Sequence, residues 1–131
     1  RLHKNSKNIN FIKDAMFAST NEPGGTSFAS RLKSKKFMFA GKTGSSQVKR
    51  FTQEQREAEI KQKDLKYEDR DHALYIAFAP YTNPKYAISV IVEHGGSGSK
   101  AAAPIAKKII KKVLERDDLR NSQIYRNGKE I

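Results

Sequence analysis

A short polar run around position 43 contains the side chains that best suit a chemical site. Lys42, Thr43 and Gly44 follow an apolar run at residues 37–40, and Ser45 comes next. The lysine supplies a fixed positive charge, and the alternating hydroxyls of Thr43 and Ser45 can hydrogen-bond a carboxylate. Gly44 lets another chain come close to the backbone. This pattern predicts a site for an anionic acyl compound.

The apolar run at residues 37–40 predicts a buried strand that ends at this motif, with the lysine at the strand end. If that strand lies at a sheet edge, its free N–H and C=O groups can accept a peptide-like substrate as an added strand. A phosphate-binding loop is excluded, because it needs Gly five residues before its Lys and position 37 is Phe.

One helix and one hairpin are predicted to flank this strand. Apolar residues spaced by three and four indicate a helix over residues 8–19. Residues 73–79 and 86–93 both alternate with a period of two, on either side of a turn that contains Pro and Asn. Two such runs around such a turn are typical of a β-hairpin.

A second helix is predicted over residues 101–116, where an apolar face lies opposite a lysine face. We expect the polar tail at about residues 117–131 to fray. The predicted apolar face consists of Ala102, Ile105, Ala106, Ile109, Ile110 and Val113.

The predicted elements follow one another as helix, strand, charged excursion (about residues 50–71), strand, strand and helix. This order predicts an α+β fold. In such a fold an antiparallel sheet packs against terminal helices. Only 37% of the residues are hydrophobic, whereas roughly 45–50%, with Gly counted, is usual. A thin core of this kind is expected of a piece that packs against neighbours, and the first residue, Arg1, also indicates a longer parent.

The net charge of +12 favours anionic partners. Nucleic acid is disfavoured, because the lysines are scattered and no aromatic-plus-basic motif accompanies them. The absence of cysteine excludes disulfides and thiolate metal sites, and the three histidines are too far apart in sequence to indicate a metal site. No apolar run exceeds eight residues, far short of the roughly 20 that cross a bilayer.

Residues 41–48, GKTGSSQV, resemble the Lys-Thr-Gly motif of penicillin-binding proteins, which share it with serine β-lactamases. The runs at residues 70–73, 77–84 and 92–98 resemble the segments after that motif in class B enzymes, most closely the penicillin-binding protein 2 type of cell elongation. The resemblance covers about residues 9–116. It implies a C-terminal portion of one transpeptidase domain with the penicillin-binding/serine β-lactamase-like fold.

The resemblance also implies roles for individual residues. Lys42 would hold positive charge in the cleft, while Thr43 and Ser45 would hydrogen-bond the substrate carboxylate. The backbone N–H of Ser45 would be one of two oxyanion-hole donors, so Lys42 and Ser45 are the expected catalytic residues. The expected substrate-contacting residues are Thr43, Gly44, Ser45, Ser46 and Gln47.

The family's nucleophile motif Ser-x-x-Lys and its second motif Ser-x-Asn should both precede Lys42 by long stretches. Matches to these two patterns begin at Ser6, Ser19, Ser30, Ser46 and Ser97. We interpret them as chance in a Lys- and Ser-rich chain, because Ser30 lies too close to Lys42 and two others come after it. We therefore expect the nucleophile to lie elsewhere and the isolated chain to be inactive. Loss of one oxyanion donor alone typically costs about 100- to 1000-fold.

The implied parent activity is D,D-transpeptidation of peptidoglycan stem peptides, with β-lactam antibiotics as acylating inhibitors and no metal or organic cofactor. The implied location is the periplasmic face of the bacterial inner membrane, with the anchor outside this chain and a glycosyltransferase as partner. Three alternatives stay open at this point. They are a non-catalytic peptide-binding module, a basic nucleic-acid-binding domain, and a β-lactam-hydrolysing enzyme.

Overall fold

A computed structural model describes residues 5–54 and 61–127. Within these residues, two long helices and three strands form an α+β arrangement in the predicted order, which confirms the predicted fold class. Part of the charged excursion, residues 55–60, and the last four tail residues lie outside the described residues. The elements are α1 (Ser6–Asn21), β1 (Ala40–Ser46), β2 (His72–Ala79), β3 (Tyr86–Val92) and α2 (Ala103–Asn127), with a π-helical turn (Gly98–Ala102) leading into α2.

The sheet is antiparallel throughout, with strand order β1-β2-β3. The predicted hairpin is β2–β3, and Ala77 pairs with Ile88 in it. β1 pairs with β2 on one side, with Thr43 opposite Tyr75. Within the described residues nothing pairs with the other side of β1. The motif therefore lies on an edge strand.

The prediction that the motif closes its strand is wrong. The apolar run begins in a short 3-10 turn (Lys35–Phe37), and β1 starts only at Ala40, so residues 42–44 lie in the middle of the strand. The partner strand explains why β1 starts later than predicted. β2 ends at Ala79, and the following proline has no N–H with which to continue the ladder.

The core is thin and made largely of small residues. On β2 the buried face carries Ala73, Tyr75, Ala77 and Ala79, so α2 can lie close to the sheet. Two residues of the predicted apolar face of α2 are not buried, because Ile105 and Ile109 are 41% and 44% exposed. The helix residues that face the sheet are Ala103, Ala106, Ile110 and Leu114.

Helix α2 continues to Asn127, well past residue 116, where the sequence pattern predicts its end. Two ion pairs attach the polar part of the helix to the rest of the fold. Asp117 accepts from Lys85 at 3.0 Å, and Asp118 pairs with Lys36. These contacts hold a stretch with little apolar surface of its own. No helix in the described ranges is long and apolar enough to cross a bilayer.

Candidate active site

The start of β1 is held by a buried cluster of hydroxyl groups. The Gly41 N–H donates to Thr20 Oγ1 at 3.0 Å, and the Thr20 hydroxyl lies 3.2 Å from the Gly41 carbonyl oxygen. Tyr75 Oη lies 3.1 Å from Thr20 Oγ1 and donates to Ser27 Oγ at 3.2 Å. Thr20 is the second-last residue of α1, so the cluster ties the end of that helix to the strand that carries the motif.

The phenol of Tyr75 belongs to this cluster as a neutral group. Burial raises the pKa of Tyr75, and its hydrogen bonds to Ser27 and Thr20 only partly oppose the rise. A glycine is required at position 41, because a Cβ there would lie 2.2 Å from Tyr75 Oη. The sequence interpretation missed Thr20, Ser27 and Tyr75. Their signal is weak, since only the glycine before Lys42 indicates a crowded backbone.

The predicted site residues alternate between the two faces of β1. Thr43 and Ser45 lie opposite Tyr75 and Ala73 and share the face that carries the core, whereas Lys42 lies on the other face. Lys42 and Ser45 are exposed and Thr43 is half-buried. The hydroxyls thus lie on one side of the strand and the cation on the other, and both are accessible from its free edge.

The hydroxyl of Thr43 is connected to the end of α1. Thr43 Oγ1 donates to Thr26 Oγ1 at 3.2 Å, and Thr26 Oγ1 lies 3.1 Å from Ser19 Oγ. This chain of hydroxyl groups runs beside the buried cluster and fixes the Thr43 side chain. It leaves the Thr43 oxygen near solvent, where it can still exchange its partner for a bound anion.

The ammonium group of Lys42 donates to the Thr43 carbonyl at 3.0 Å. No carboxylate forms an ion pair with it in the described parts of the chain. As far as the described residues go, its positive charge is therefore available to an incoming anion rather than neutralised by a carboxylate.

The glycine-rich loop after β3 packs against the motif. A Cβ on Gly98 would lie 2.6 Å from the Gly44 carbonyl oxygen and 2.5 Å from that of Leu74. A Cβ on Gly44 would meet only Leu74 Cβ, at 3.5 Å, an ordinary contact. The backbone of another segment thus comes close to Gly44, as expected. The approach is possible because Gly98 has no side chain.

The remaining predicted contact residues lie at the end of β1. Ser46 is the last residue of the strand, opposite His72, and Gln47 comes directly after it. Both are exposed. The structure therefore brings residues 42–47 together as one continuous edge.

His72 and His94 have a packing role. The backbone N–H of His94 donates to His72 Nδ1 at 3.0 Å, and the two rings lie 4.8 Å apart, edge to face. Because His72 Nδ1 accepts this bond, the neutral ring carries its proton on Nε2. Among the residues described, no group of three or more potential metal ligands occurs.

The serines that match the nucleophile motif differ in their surroundings. Ser30 is buried, with 3% of its surface exposed, and Ser46 lies on a strand rather than a helix. Ser97 comes directly before the π-helical turn, and the N–H of Lys100 donates to its carbonyl at 3.2 Å. The Ser97 hydroxyl faces Ser99 Oγ at 3.1 Å, and the described hydrogen bonds include none from it to the Lys100 ammonium.

Comparison with known proteins identifies the class. The family model for the penicillin binding protein transpeptidase domain matches residues 1–111, and this chain belongs to that family. Peptidoglycan D,D-transpeptidase MrdA of Salmonella typhimurium is 38% identical over 104 residues, which are 79% of this chain and 16% of that protein. MrdA of Haemophilus influenzae is 43% identical over 74 residues, 56% of this chain and 11% of its own length. The chain thus spans about a sixth or less of these relatives.

Solved structures give the same result. Penicillin-binding protein PBP2 of Helicobacter pylori, in its complex with MreC, superposes with a TM-score of 0.67 at 35% identity, covering 85% of this chain and 18% of that one. Pseudomonas aeruginosa PBP2 in complex with WCK 5153 gives 0.64 at 29% identity, covering 86% and 21%. The predicted class B family and its penicillin-binding protein 2 type are confirmed.

Proposed function

We propose that this chain is the C-terminal, Lys-Thr-Gly-bearing portion of the transpeptidase domain of a peptidoglycan D,D-transpeptidase, and that the serine nucleophile belongs to another part of the same protein. In the reaction a serine attacks the penultimate D-alanine carbonyl of a stem peptide and D-alanine leaves. An amine of a neighbouring stem peptide then takes the acyl group from the serine.

The observation that carries this proposal is the edge position of β1. A strand with one unpaired edge can add a peptide by backbone hydrogen bonding, and side chains along that edge then select the peptide. The edge strand carries the ammonium group of Lys42 together with two hydroxyls. Within the described residues, no carboxylate forms an ion pair with that ammonium group. That combination suits a peptide that ends in a carboxylate.

In the proposed mechanism the residues of this chain bind and polarise the substrate, and none of them attacks its carbonyl carbon. Lys42 attracts the substrate carboxylate and assists proton movement, while Thr43 and Ser45 donate hydrogen bonds to it. The N–H of Ser45 stabilises the oxyanion. Gly44, Ser46 and Gln47 contact the peptide along the edge. The isolated chain binds such peptides weakly and performs no turnover.

The test is a chimera in which this chain replaces the matching segment of Salmonella typhimurium MrdA. We expect a fluorescent penicillin to acylate the chimera, and a Lys42→Ala chimera to be acylated at least tenfold more slowly. A matched chimera with Lys108→Ala, an exposed lysine on α2, should keep the rate. Equal rates in all three would contradict the role of β1.

The isolated chain supplies the second arm of the test. Its intact mass after incubation with a reactive penicillin should show no adduct. A stoichiometric adduct would show that the nucleophile lies within these 131 residues. Ser97 would then be the first serine to map, because of its place before a helical turn.

The three alternatives predict other results. A non-catalytic peptide-binding module predicts that no chimera is acylated although peptide still binds. A nucleic-acid-binding domain predicts tight polynucleotide binding that falls steeply with salt. A β-lactam-hydrolysing enzyme predicts that the acylated chimera releases the penicillin quickly.

We further propose that the whole protein works at the periplasmic face of the inner membrane with a glycosyltransferase partner. The support is family membership alone. The Helicobacter pylori relative forms a complex with MreC, so association with other proteins occurs within this family. Co-purification of the full-length protein with a membrane-bound glycosyltransferase would test the partner.

A further inference from the structure

An open cavity of about 830 Å³ lies beside the loop that comes after β3. Part of its wall consists of Gly95, Gly96 and Ser97. Half of the eight described lining residues are cationic and none is acidic. The four cations of the cavity are Lys61, Lys63, Arg70 and Lys100. Some of the lysines that are scattered along the sequence are therefore concentrated at one place in the fold.

No described carboxylate compensates the charge of this cavity by an ion pair. None of the four cations forms an ion pair with another described residue. The guanidinium of Arg70 is held by backbone instead, since Nε donates to the Leu65 carbonyl at 3.2 Å and Nη2 to that of Lys63 at 3.4 Å. Like charges around one concavity repel each other, and a bound anion removes that repulsion.

Hydrogen bonds between Gln62 and Asp71 fix the wall of the cavity. The Gln62 side chain accepts from the Asp71 N–H at 2.8 Å and donates to Asp71 Oδ2 at 3.0 Å. The N–H of Gly96 donates to the Asp71 carbonyl at 2.8 Å. The Asp71 carboxylate thus bonds to Gln62 and pairs with none of the four cations. The segment before β2 and the loop after β3 are held together as one unit.

The cavity adjoins the candidate active site. Ser97 in its wall precedes Gly98, which packs against Gly44 of β1. Arg70 precedes β2, whose first residue pairs with Ser46. The cavity therefore lies toward the Ser46 end of β1. A peptide bound along β1 covers about 10 Å between Thr43 and Ser46, at roughly 3.3 Å per residue.

We propose that this cavity is a second carboxylate subsite, which takes an interior carboxylate of a peptide whose terminal carboxylate lies at Thr43 and Ser45. The inference rests on the proposed function, because it takes β1 as the peptide-binding edge. The subsite makes the chain select peptides with two carboxylates over peptides with one. Its attraction is electrostatic and weakens as the salt concentration rises.

The test is a pair of synthetic peptides titrated into the ¹⁵N-labelled chain and followed by NMR. Both peptides end in D-Ala-D-Ala, and they differ only in an interior glutamate or glutamine. The glutamate peptide should bind roughly fivefold more tightly at low salt. It alone should shift the amide signals of Gly95, Gly96 and Ser97.

Two triple variants with the same change of charge provide the control. Lys61→Gln/Lys63→Gln/Lys100→Gln removes three cavity cations and should abolish the preference for the glutamate peptide. Lys7→Gln/Lys108→Gln/Lys112→Gln removes three exposed lysines away from the cavity and should keep it. Retention of the preference in the cavity variant, with the remaining amide signals unchanged, would overturn the proposal.

The remaining outcomes separate the two proposals. Equal binding of both peptides, with shifts at Thr43 and Ser45, overturns the subsite and leaves the proposed function standing. Loop shifts without any shift along β1 contradict the proposed function and the subsite together. If a short polyphosphate displaces the glutamate peptide at matched charge concentration, the cavity is a general polyanion site and the proposal is wrong.

Discussion

The two ends of β1 differ in almost every physical respect. At its start, Ala40 is fully buried and Gly41 is enclosed by the ring of Tyr75 and the hydroxyl of Thr20. At its end, Gly44, Ser45 and Ser46 are exposed. The first part is fixed by hydrogen bonds away from water, and the second carries the groups proposed to meet the substrate. An exposed site keeps its geometry here because the strand that carries it is held at one buried end.

The largest effect is expected at Gly41. A Gly41→Val side chain would collide with Tyr75 Oη, because even a Cβ would lie 2.2 Å from it. Forcing the ring and strand apart should lower the free energy of unfolding by about 3 kcal/mol. Urea denaturation followed by circular dichroism measures this loss.

The matched control is Gly44→Ala on the exposed part of the same strand. A Cβ there would have its nearest neighbour at 3.5 Å, and the change should stay within about 0.5 kcal/mol. Equal losses at both glycines would remove the contrast between the two ends of β1.

A smaller effect is expected from Thr20→Val. This isosteric change removes the acceptor for the Gly41 N–H and the neighbour of Tyr75 Oη. A buried donor left without a partner costs about 1–3 kcal/mol. Thr20→Ser keeps the hydroxyl and should recover most of the loss in the same denaturation experiment. If valine is as stable as serine, the cluster does not hold the strand.

At the exposed end of β1, a substitution should change substrate binding and leave the stability of the fold nearly unchanged. Thr43→Val should leave the free energy of unfolding within about 0.5 kcal/mol of the parent. In the MrdA chimera it should slow acylation by a fluorescent penicillin roughly tenfold, because a hydrogen bond to a charged carboxylate is lost. Thr26→Val keeps the Thr43 hydroxyl and removes the hydroxyl that lies between Thr43 and Ser19, so it is the control and should slow acylation less.

The sequence predicted the parts of this molecule that local pattern determines. Alternation with a period of two in residues 73–93 gave the hairpin, and residues 41–48 gave the family. The hydrophobic pattern did not predict the residue at which β1 starts, because that residue depends on where β2 stops pairing. Nor did it show that Ile105 and Ile109 are exposed, because exposure depends on which side of α2 packs against the sheet.

Contacts between distant residues were harder to predict. Thr20, Ser27 and Tyr75 are brought together from positions up to 55 residues apart, and nothing in their neighbourhoods marks them as partners. The cationic cavity has the same origin, since Lys61 and Lys100 come from separate segments. The sequence showed the number of lysines but not their convergence.

The smallest effect is expected from an exposed contact far from β1, the ion pair between Lys85 and Asp117. The hydrogen bond from Lys85 lowers the pKa of Asp117 below its usual 3.8. The folded state therefore favours the charged carboxylate, and its contribution to stability is present above pH 3.8. That contribution is lost as the pH falls through the lowered pKa. Asp117→Asn should reduce the acid-induced loss of stability slightly.

The pair itself is tested by a double-mutant cycle. Because Lys85 is the largest cause of the lowered pKa and Tyr86 and Arg120 add to it, Lys85→Met should remove most of the acid-induced loss that Asp117→Asn removes. The double variant should reduce the loss no further than Asp117→Asn alone. Thermal denaturation between about pH 3 and pH 7 measures all four proteins. Because an exposed ion pair is weak, every change in this cycle should be smaller than that of Thr20→Val. A larger change would mean that the polar end of α2 contributes more to this fold than the buried hydroxyl cluster does.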